Sequence, residues 1–409
     1  MDGKLSGLIT VFILIMYTTL LASHEASDAN SSTADDMIEI AVGVTNIYQQ
    51  NISGGISTHR KAGRFSGSYD VKSTIDTEKL AHFKGGSLYI HGEGVWSKTQ
   101  GIDLPAVGSF FGVNGDARER RSLDITELWY QQQMLDDKLS VRFGKFDMTG
   151  GFEHHNCPVS FDCSSYANDE TSQFLNNALI NNPTIPFPDY GLGAAIYYAM
   201  SECLYVSAAA ADAQADIKET GFNTAFHKED YFLYIFETGW TPVFNSSNGP
   251  LQGAYRAGLW YDPQPKANSD AEKNYRDDVG AYLTLDQLLV KENTPPQDSQ
   301  GLGAFARYGC AQSKTNDLVN FWSIGCQYQG LFDGRDDDVL AAGFAQGFFS
   351  NAASSTYTED YEAVVEIYYN AAVTKYLNIS PSVQYIINPG GDKTNRDALV
   401  LGLRAQLTF

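Results

Sequence analysis

The feature that most constrains this chain is a two-residue period that recurs along nearly its whole length, in segments longer than ordinary strands. The last segment is the cleanest: Leu399, Leu401, Leu403, Ala405, Leu407 and Phe409 form one face, against Gly402, Arg404, Gln406 and Thr408 on the other. The segment before it sets Leu377, Ile379, Val383, Tyr385 and Ile387 against Asn378, Ser380, Ser382 and Gln384. Alternation of this kind reads as β-strand, because successive side chains of an extended chain point to opposite faces. Sixteen such segments are predicted: 37–48, 63–77, 85–97, 123–134, 138–147, 190–199, 202–211, 228–239, 252–261, 277–289, 300–311, 318–330, 339–349, 359–370, 373–386 and 397–409.

Alternation alone does not say which face is outside, since a soluble sandwich would bury the same apolar side chains. Two features decide it. At about ten to thirteen residues the segments suit tilted strands crossing a bilayer, and their polar faces carry the Gly, Ser, Gln, Asn and mixed charges of a wetted interior. Hydrocarbon offers no partner to an open sheet edge, so such strands must close into a barrel. The expected fold is therefore all-β, a 16-stranded antiparallel transmembrane β-barrel of porin type. An even strand number puts both ends of the barrel on one side, where the short turns belong. The long loops face the exterior. Tyr130, Tyr205, Trp240, Trp260 and Trp322, near strand ends, are suited to interfacial girdles.

The one long apolar run, Leu8–Ala22, follows Lys4 and precedes small residues, and it reads as a signal peptide spanning residues 1–23. A short segment, 24–36, then leads into the barrel at 37–409. Nothing after residue 23 approaches the roughly 18 uninterrupted apolar residues of a spanning helix. The formal charge of −21, from 28 basic against 49 acidic side chains, argues against nucleic acid as a partner.

Export permits disulfides, and there are five cysteines. Cys157 and Cys163, close in a loop-like segment, are the candidate pair, while Cys203, Cys310 and Cys326 fall on or beside strand-like segments and read as small apolar residues. No zinc or iron–sulfur spacing is present, so neither a metal nor a cofactor is expected. No nucleophile, base and orienting group stand at strand spacing, which argues against an enzyme.

The longest connection, Met148 to Asp189, is the expected constriction loop. It carries the candidate staple, then Asn168-Asp169-Glu170-Thr171 as a helix start and a short helix through Phe174, Leu175, Ala178 and Leu179. It is expected to fold into the barrel and set its bore, with an external cap as the alternative. Parity supplies the candidate lining. With Leu128, Tyr130, Val141 and Phe143 toward lipid, Glu127, Trp129 and Arg142 point inward across a tight hairpin, as do His91 and Glu93 from the third strand. Arg118, Arg120 and Arg121 concentrate positive charge in the loop before. Guanidinium forks suit carboxylates or vicinal sugar hydroxyls, and an inward Trp suits a sugar's C–H face. Mutual pairing of these charges on the wall is the competing reading.

The stretch Asp124 to Lys145, D-I-T-E-L-W-Y-Q-Q-Q-M-L-D-D-K-L-S-V-R-F-G-K, resembles the E-L-W…L-D-G-K-L…R-x-G-K pattern of the carbohydrate-selective outer-membrane porins, the OprB type. Gln50–Gly55, Asp76–Leu80, Lys84–Gly86, Phe174–Asn176, Pro186-x-Pro188, Gly258–Tyr261 and Gly301–Tyr308 continue the resemblance in order. It implies a barrel in the bacterial outer membrane that admits monosaccharides, and as an extension oligosaccharides, by passive facilitated diffusion without cofactor or energy input. Asp124 stands where that pattern often has a basic residue, which leaves Arg118, Arg120 or Arg121 to substitute. Phe409 resembles the terminal aromatic that such barrels show to their assembly machinery. Small carbohydrates and outer-membrane lipids are the expected partners, with a homotrimer left open. A general diffusion porin for small polar solutes or cations is the alternative.

Overall fold

The computed structural model describes residues 37–59, 61–96, 101–117, 121–149, 152–154, 157–159, 161–215, 228–267, 273–294, 299–353 and 356–409. The chain divides into two compact units, Met1–Glu39 and Ile40–Phe409. The predicted signal peptide lies outside the described residues. Among the described residues, sixteen strands form the wall: β1 (Ile38–Gly55), β2 (Gly63–Asp76), β3 (Gly86–Val95), β4 (Arg121–Met134), β5 (Leu139–Phe146), β6 (Gly191–Ala199), β7 (Leu204–Asp212), β8 (Phe232–Trp240), β9 (Gly249–Asp262), β10 (Asp278–Lys291), β11 (Gly301–Ala311), β12 (Leu318–Gln329), β13 (Val339–Phe349), β14 (Tyr361–Thr374), β15 (Leu377–Ile387) and β16 (Arg396–Thr408). Each pairs with its neighbours in sequence, and β16 returns to β1 through a register running from Gly43 opposite Thr408 to Gly55 opposite Arg396. The sheet is closed and has no edge, which satisfies every strand's backbone without help from solvent.

The outward stripe is apolar as parity demands. Leu259 (61% exposed), Leu283, Ile324, Ile367, Val383, Leu401 and Leu403 all face out. Trp240 and Trp322 join them, but Tyr205 and Trp260 point inward and are buried. The ladder opposes Tyr205 to Gly239, whose missing side chain gives the ring its space, and the Tyr205 hydroxyl donates to Glu237 at 2.6 Å. Those two aromatics belong to the interior, not to a girdle.

Several boundaries differ from expectation by a few residues, and two of the differences have a visible cause. β1 runs on to Gly55 because Gln49 and Asn51, whose polarity ends the apparent pattern, face inward and donate to the carbonyls of Val113 (2.8 Å) and Ala106 (3.0 Å). The expected turn at Ala371-Ala372 lies within β14. Alanine does not break a ladder, and the true turn follows Thr374, whose hydroxyl accepts from the N–H groups of Tyr376 (3.2 Å) and Leu377 (3.1 Å).

The inner face is not uniformly wet. The described residues of L2, the β3–β4 connection (96–120), and of L3, the β5–β6 connection (147–190), supply side chains that pack against it. Ile102, Val107, Phe111, Phe174, Leu179 and Ile180 from these loops pack on Phe305, Phe321, Ala345, Val364 and Tyr368 of β11–β14. A second apolar cluster joins Phe146, Met148, Phe161 and Ile185 to Tyr197, Tyr205, Leu233, Trp260 and Tyr282. Burying these rings inside the barrel fixes the loops by the ordinary hydrophobic effect, worth about 25 cal/mol per Å² removed from water.

Candidate functional site

L3 is held by wall side chains that grip its main chain. On the β8–β11 arc, the Asp162 N–H donates to Glu237 (3.2 Å), and its carboxylate accepts from the Thr284 hydroxyl (2.7 Å) and the Asn182 N–H (3.0 Å). Arg307 lies 3.4 Å from the same carboxylate and donates to the carbonyls of Leu179 (2.7 Å) and Ala167 (3.1 Å). Asp286, paired to Arg256 at 2.9 Å, accepts from the Ser164 hydroxyl at 2.5 Å. On the β14–β16 arc, Glu366 accepts the N–H groups of Leu175 and Asn176, both at 2.9 Å. Arg404 donates to the carbonyls of Glu170 (2.9 Å) and Gln173 (2.8 Å), and Gln406 to the Thr171 hydroxyl (2.8 Å). Carboxylates take the amides, and guanidinium and carboxamide groups take the carbonyls and a loop hydroxyl. Buried loop backbone is thereby satisfied.

This grip also corrects the expected helix. The helical turn α1 spans only Asn177–Ile180, because Glu366 holds the preceding two amides and Asn176 caps by accepting from the Ala178 N–H at 3.1 Å. Asp169 instead closes a local turn on Thr171, accepting its N–H at 2.8 Å. The loop folds inward, as one of the two sequence readings had it. A small hairpin, Phe152–His154 with Cys157–Val159, precedes Cys163, which is buried. The Cys157 side chain is outside the described ones, so the predicted Cys157–Cys163 pairing falls there too.

L2 closes on a second carboxylate. Glu362 accepts from the Ser109 hydroxyl (2.5 Å) and the N–H groups of Phe110 (2.7 Å), Phe111 (3.2 Å) and Gly390 (2.5 Å). Asp103 accepts the Ser109 N–H at 3.1 Å, so one serine joins two acids. Burial raises the Asp103 carboxyl to about 7, against the Ser109 hydrogen bond, and the nearby Glu362 charge adds to the rise. Asp317 approaches the same region through Tyr357, which donates to it at 2.9 Å and feels the Glu362 charge. Since the folded value lies above the ordinary 3.8, the contribution of Asp103 to L2 closure is complete below that value and disappears as pH climbs through about 7. Conductance is therefore expected to be quieter at pH 5 than at pH 8. Asp103→Asn should abolish the difference, and a difference that survives the substitution would place the sensor elsewhere.

The remaining arc, β2–β5, carries the residues that parity selects. His91 stands between two acids, with Nε2 2.7 Å from Asp70 and Nδ1 3.3 Å from Glu127. The other Glu127 oxygen accepts from Trp129 Nε1 and from the Asp147 N–H, both at 3.1 Å. Arg142 lies over the Trp129 ring, 3.9 Å from its centroid, and its Nη2 donates to Gln131 at 3.0 Å. Tyr89 stacks on Trp129 with centroids 4.8 Å apart. The chain Asp70–His91–Glu127–Trp129–Arg142–Gln131 thus crosses four neighbouring strands.

Four expected residues, His91, Glu127, Trp129 and Arg142, come together in it. Glu93 is buried two residues along β3, close to Asp124 in the ladder. Arg121 opens β4 opposite Val95; its side chain is not among those described, and Arg118 and Arg120 lie outside the described residues. Gln131 shares the strand face that the sequence assigns to Glu127 and Trp129, whereas sequence reading missed Asp70, Tyr89 and Asp147. Tyr89 was findable, sharing parity with His91 two residues away. Asp70 was not, because its place beside His91 depends on the β2–β3 register.

The family model described as "Carbohydrate-selective porin, OprB family" matches residues 60–409. The chain belongs to that family. Among relatives of this OprB-family porin, Porin B of Pseudomonas aeruginosa is 24% identical over 88% of this chain and 85% of its own length. A putative porin, QuiX, of Acinetobacter baylyi is 21% identical over 70% of this chain and 69% of its own. The solved high-pH structure of Pseudomonas putida OprB superposes with a TM-score of 0.76 at 20% identity, covering 91% of this chain and 94% of that one. This OprB-family porin is accordingly an outer-membrane channel and not an enzyme.

Proposed function

We propose that this porin passes neutral monosaccharides by passive facilitated diffusion, with oligosaccharides as an extension, along the β2–β5 wall. Glu127, Arg142, His91, Glu93 and Trp129 line that path, and Arg118, Arg120 and Arg121 extend it toward the mouth. The observation that supports this most directly is the continuous chain of contacts from Asp70 to Gln131, polar except for the Trp129 ring, which also packs against the Phe146–Met148–Phe161 cluster. Both signs of charge beside one another suit hydroxyls, which donate and accept, better than they suit a bare ion.

A general diffusion channel for small polar solutes or cations is the second reading, favoured by the net charge of −21. Planar-bilayer recordings separate the two. Glucose should reduce single-channel current saturably, and Glu127→Gln should weaken that block about tenfold, the order of one charge-assisted hydrogen bond. Current unchanged at high glucose would favour the unselective channel.

Residues 1–23 are proposed to direct export, 24–36 to lead into the barrel, and Cys157–Cys163 to staple L3. Phe409, half-exposed and stacked on Tyr376 at 5.5 Å, is suited to presentation to the assembly machinery. Association into a homotrimer completes the proposal.

A further inference from the structure

Trp129 has both faces covered. β3 and β5 flank β4 on opposite sides, and each sends one group over the indole. Tyr89, directly opposite Trp129 in the ladder, stacks at 4.8 Å with 23° between the planes. From the other side the Arg142 guanidinium sits 3.9 Å from the ring centroid. A ring in offset stacking and a guanidinium centred over the indole do not fit on one face together. The slot for Arg142 exists because the residue opposite Trp129 on β5 is Gly144. A Cβ there would lie 2.7 Å from Trp129 Cα and 2.3 Å from the Leu128 carbonyl oxygen, and φ is +134°. The one polar atom of the indole, Nε1, is committed to Glu127. The ring therefore offers no free face on which a sugar could lie flat, contrary to what its inward position suggests.

We propose that Tyr89 is a positioning residue of the sugar path. It clamps the Trp129 indole upright against Arg142, so that the indole serves as a spacer. One edge of that spacer orients Glu127 and one face orients Arg142, and the substrate hydroxyls are read by these two flanking groups. The proposal rests on the sugar reading of this wall. Nothing in it uses the Tyr89 hydroxyl, for which no hydrogen bond is seen among the described residues; the ring alone does the work, through the face-to-face preference of offset aromatic pairs.

The test is glucose block of single channels, recorded with ion conductance on the same preparations. Tyr89→Ala should weaken the block about three- to tenfold while leaving sugar-free conductance nearly unchanged, the range expected for loss of one aromatic pair. Tyr89→Phe should restore the block, and Tyr89→Leu, which fills the space without a π face, should behave as the alanine variant does and serves as the reading variant if alanine misfolds. Block that survives both Tyr89→Ala and Tyr89→Leu overturns the clamp, as does failure of Tyr89→Phe to rescue, which would assign the role to the hydroxyl. Absence of block in the unaltered protein removes the sugar reading and the clamp with it. Block that is present there, sensitive to Glu127→Gln and indifferent to Tyr89, removes the clamp alone.

Discussion

Glu366→Ala should open the channel, raising single-channel conductance severalfold and making residues 168–180 cleavable by added protease. The substitution removes the acceptor of two buried amides, Leu175 and Asn176, just before α1. Each orphaned N–H costs about 1–3 kcal/mol, so L3 stands to lose about 2–6 kcal/mol of its hold. The Arg404 guanidinium, buried nearby and donating to Glu170 and Gln173, loses a neighbouring negative charge as well. The sixteen-strand ladder keeps its own hydrogen bonds, so the barrel should remain heat-resistant while the loop alone loosens. Glu366→Gln retains one acceptor oxygen and should fall between. Wild-type conductance and protease resistance in the alanine variant would show that the apolar packing of Phe174 and Leu179 holds the loop without help.

Removing Arg307 should produce the largest loss of stability. Its guanidinium and the Asp162 carboxylate are both fully buried, 3.4 Å apart, and Arg307 also bonds two loop carbonyls. Burial pushes the Asp162 carboxyl up, and the Arg307 charge is the main influence opposing that rise. Arg307→Leu leaves that acid in a dry interior with its strongest counter-charge gone, at a cost of about 3–5 kcal/mol. The double variant Arg307→Leu/Asp162→Leu should recover only the part owed to the unpaired acid, since the Leu179 and Ala167 carbonyls, the Asn182 N–H and the Thr284 hydroxyl stay without their partners. The midpoint of the heat-induced shift in gel mobility measures both. Costs that merely add across the cycle would mean the two side chains stabilise L3 separately.

Much of the barrel could be read from the chain because its code is local. A strand's period is two, so Leu401, Leu403 and Leu407 announce a lipid face, and Glu127, Trp129 and Arg142 announce a lumen face, without knowledge of any partner. What could not be read is set across the barrel. Glu366 meets Leu175 over 191 positions of sequence, and Glu362 meets Ser109 over 253. No short-range pattern reports such a contact. The same holds for Phe305, Phe321 and Val364, which face inward yet are apolar because loops lie on them. Alternation assumes one wet face, and a loop folded into the lumen violates that assumption where it lies on the wall. Asp70 illustrates the third limit: its parity is plain, but its meeting with His91 depends on shear between strands, which turn length and closure determine together.

The wall holds L3 largely by parts that every amino acid possesses. Glu237, Glu366, Arg307 and Arg404 reach for peptide groups rather than for particular side chains, so most letters of the loop can drift while its path persists. Insertions are another matter, because an added residue moves each peptide past its fixed anchor. Evolution at the eyelet should therefore tolerate substitution far better than changes of length.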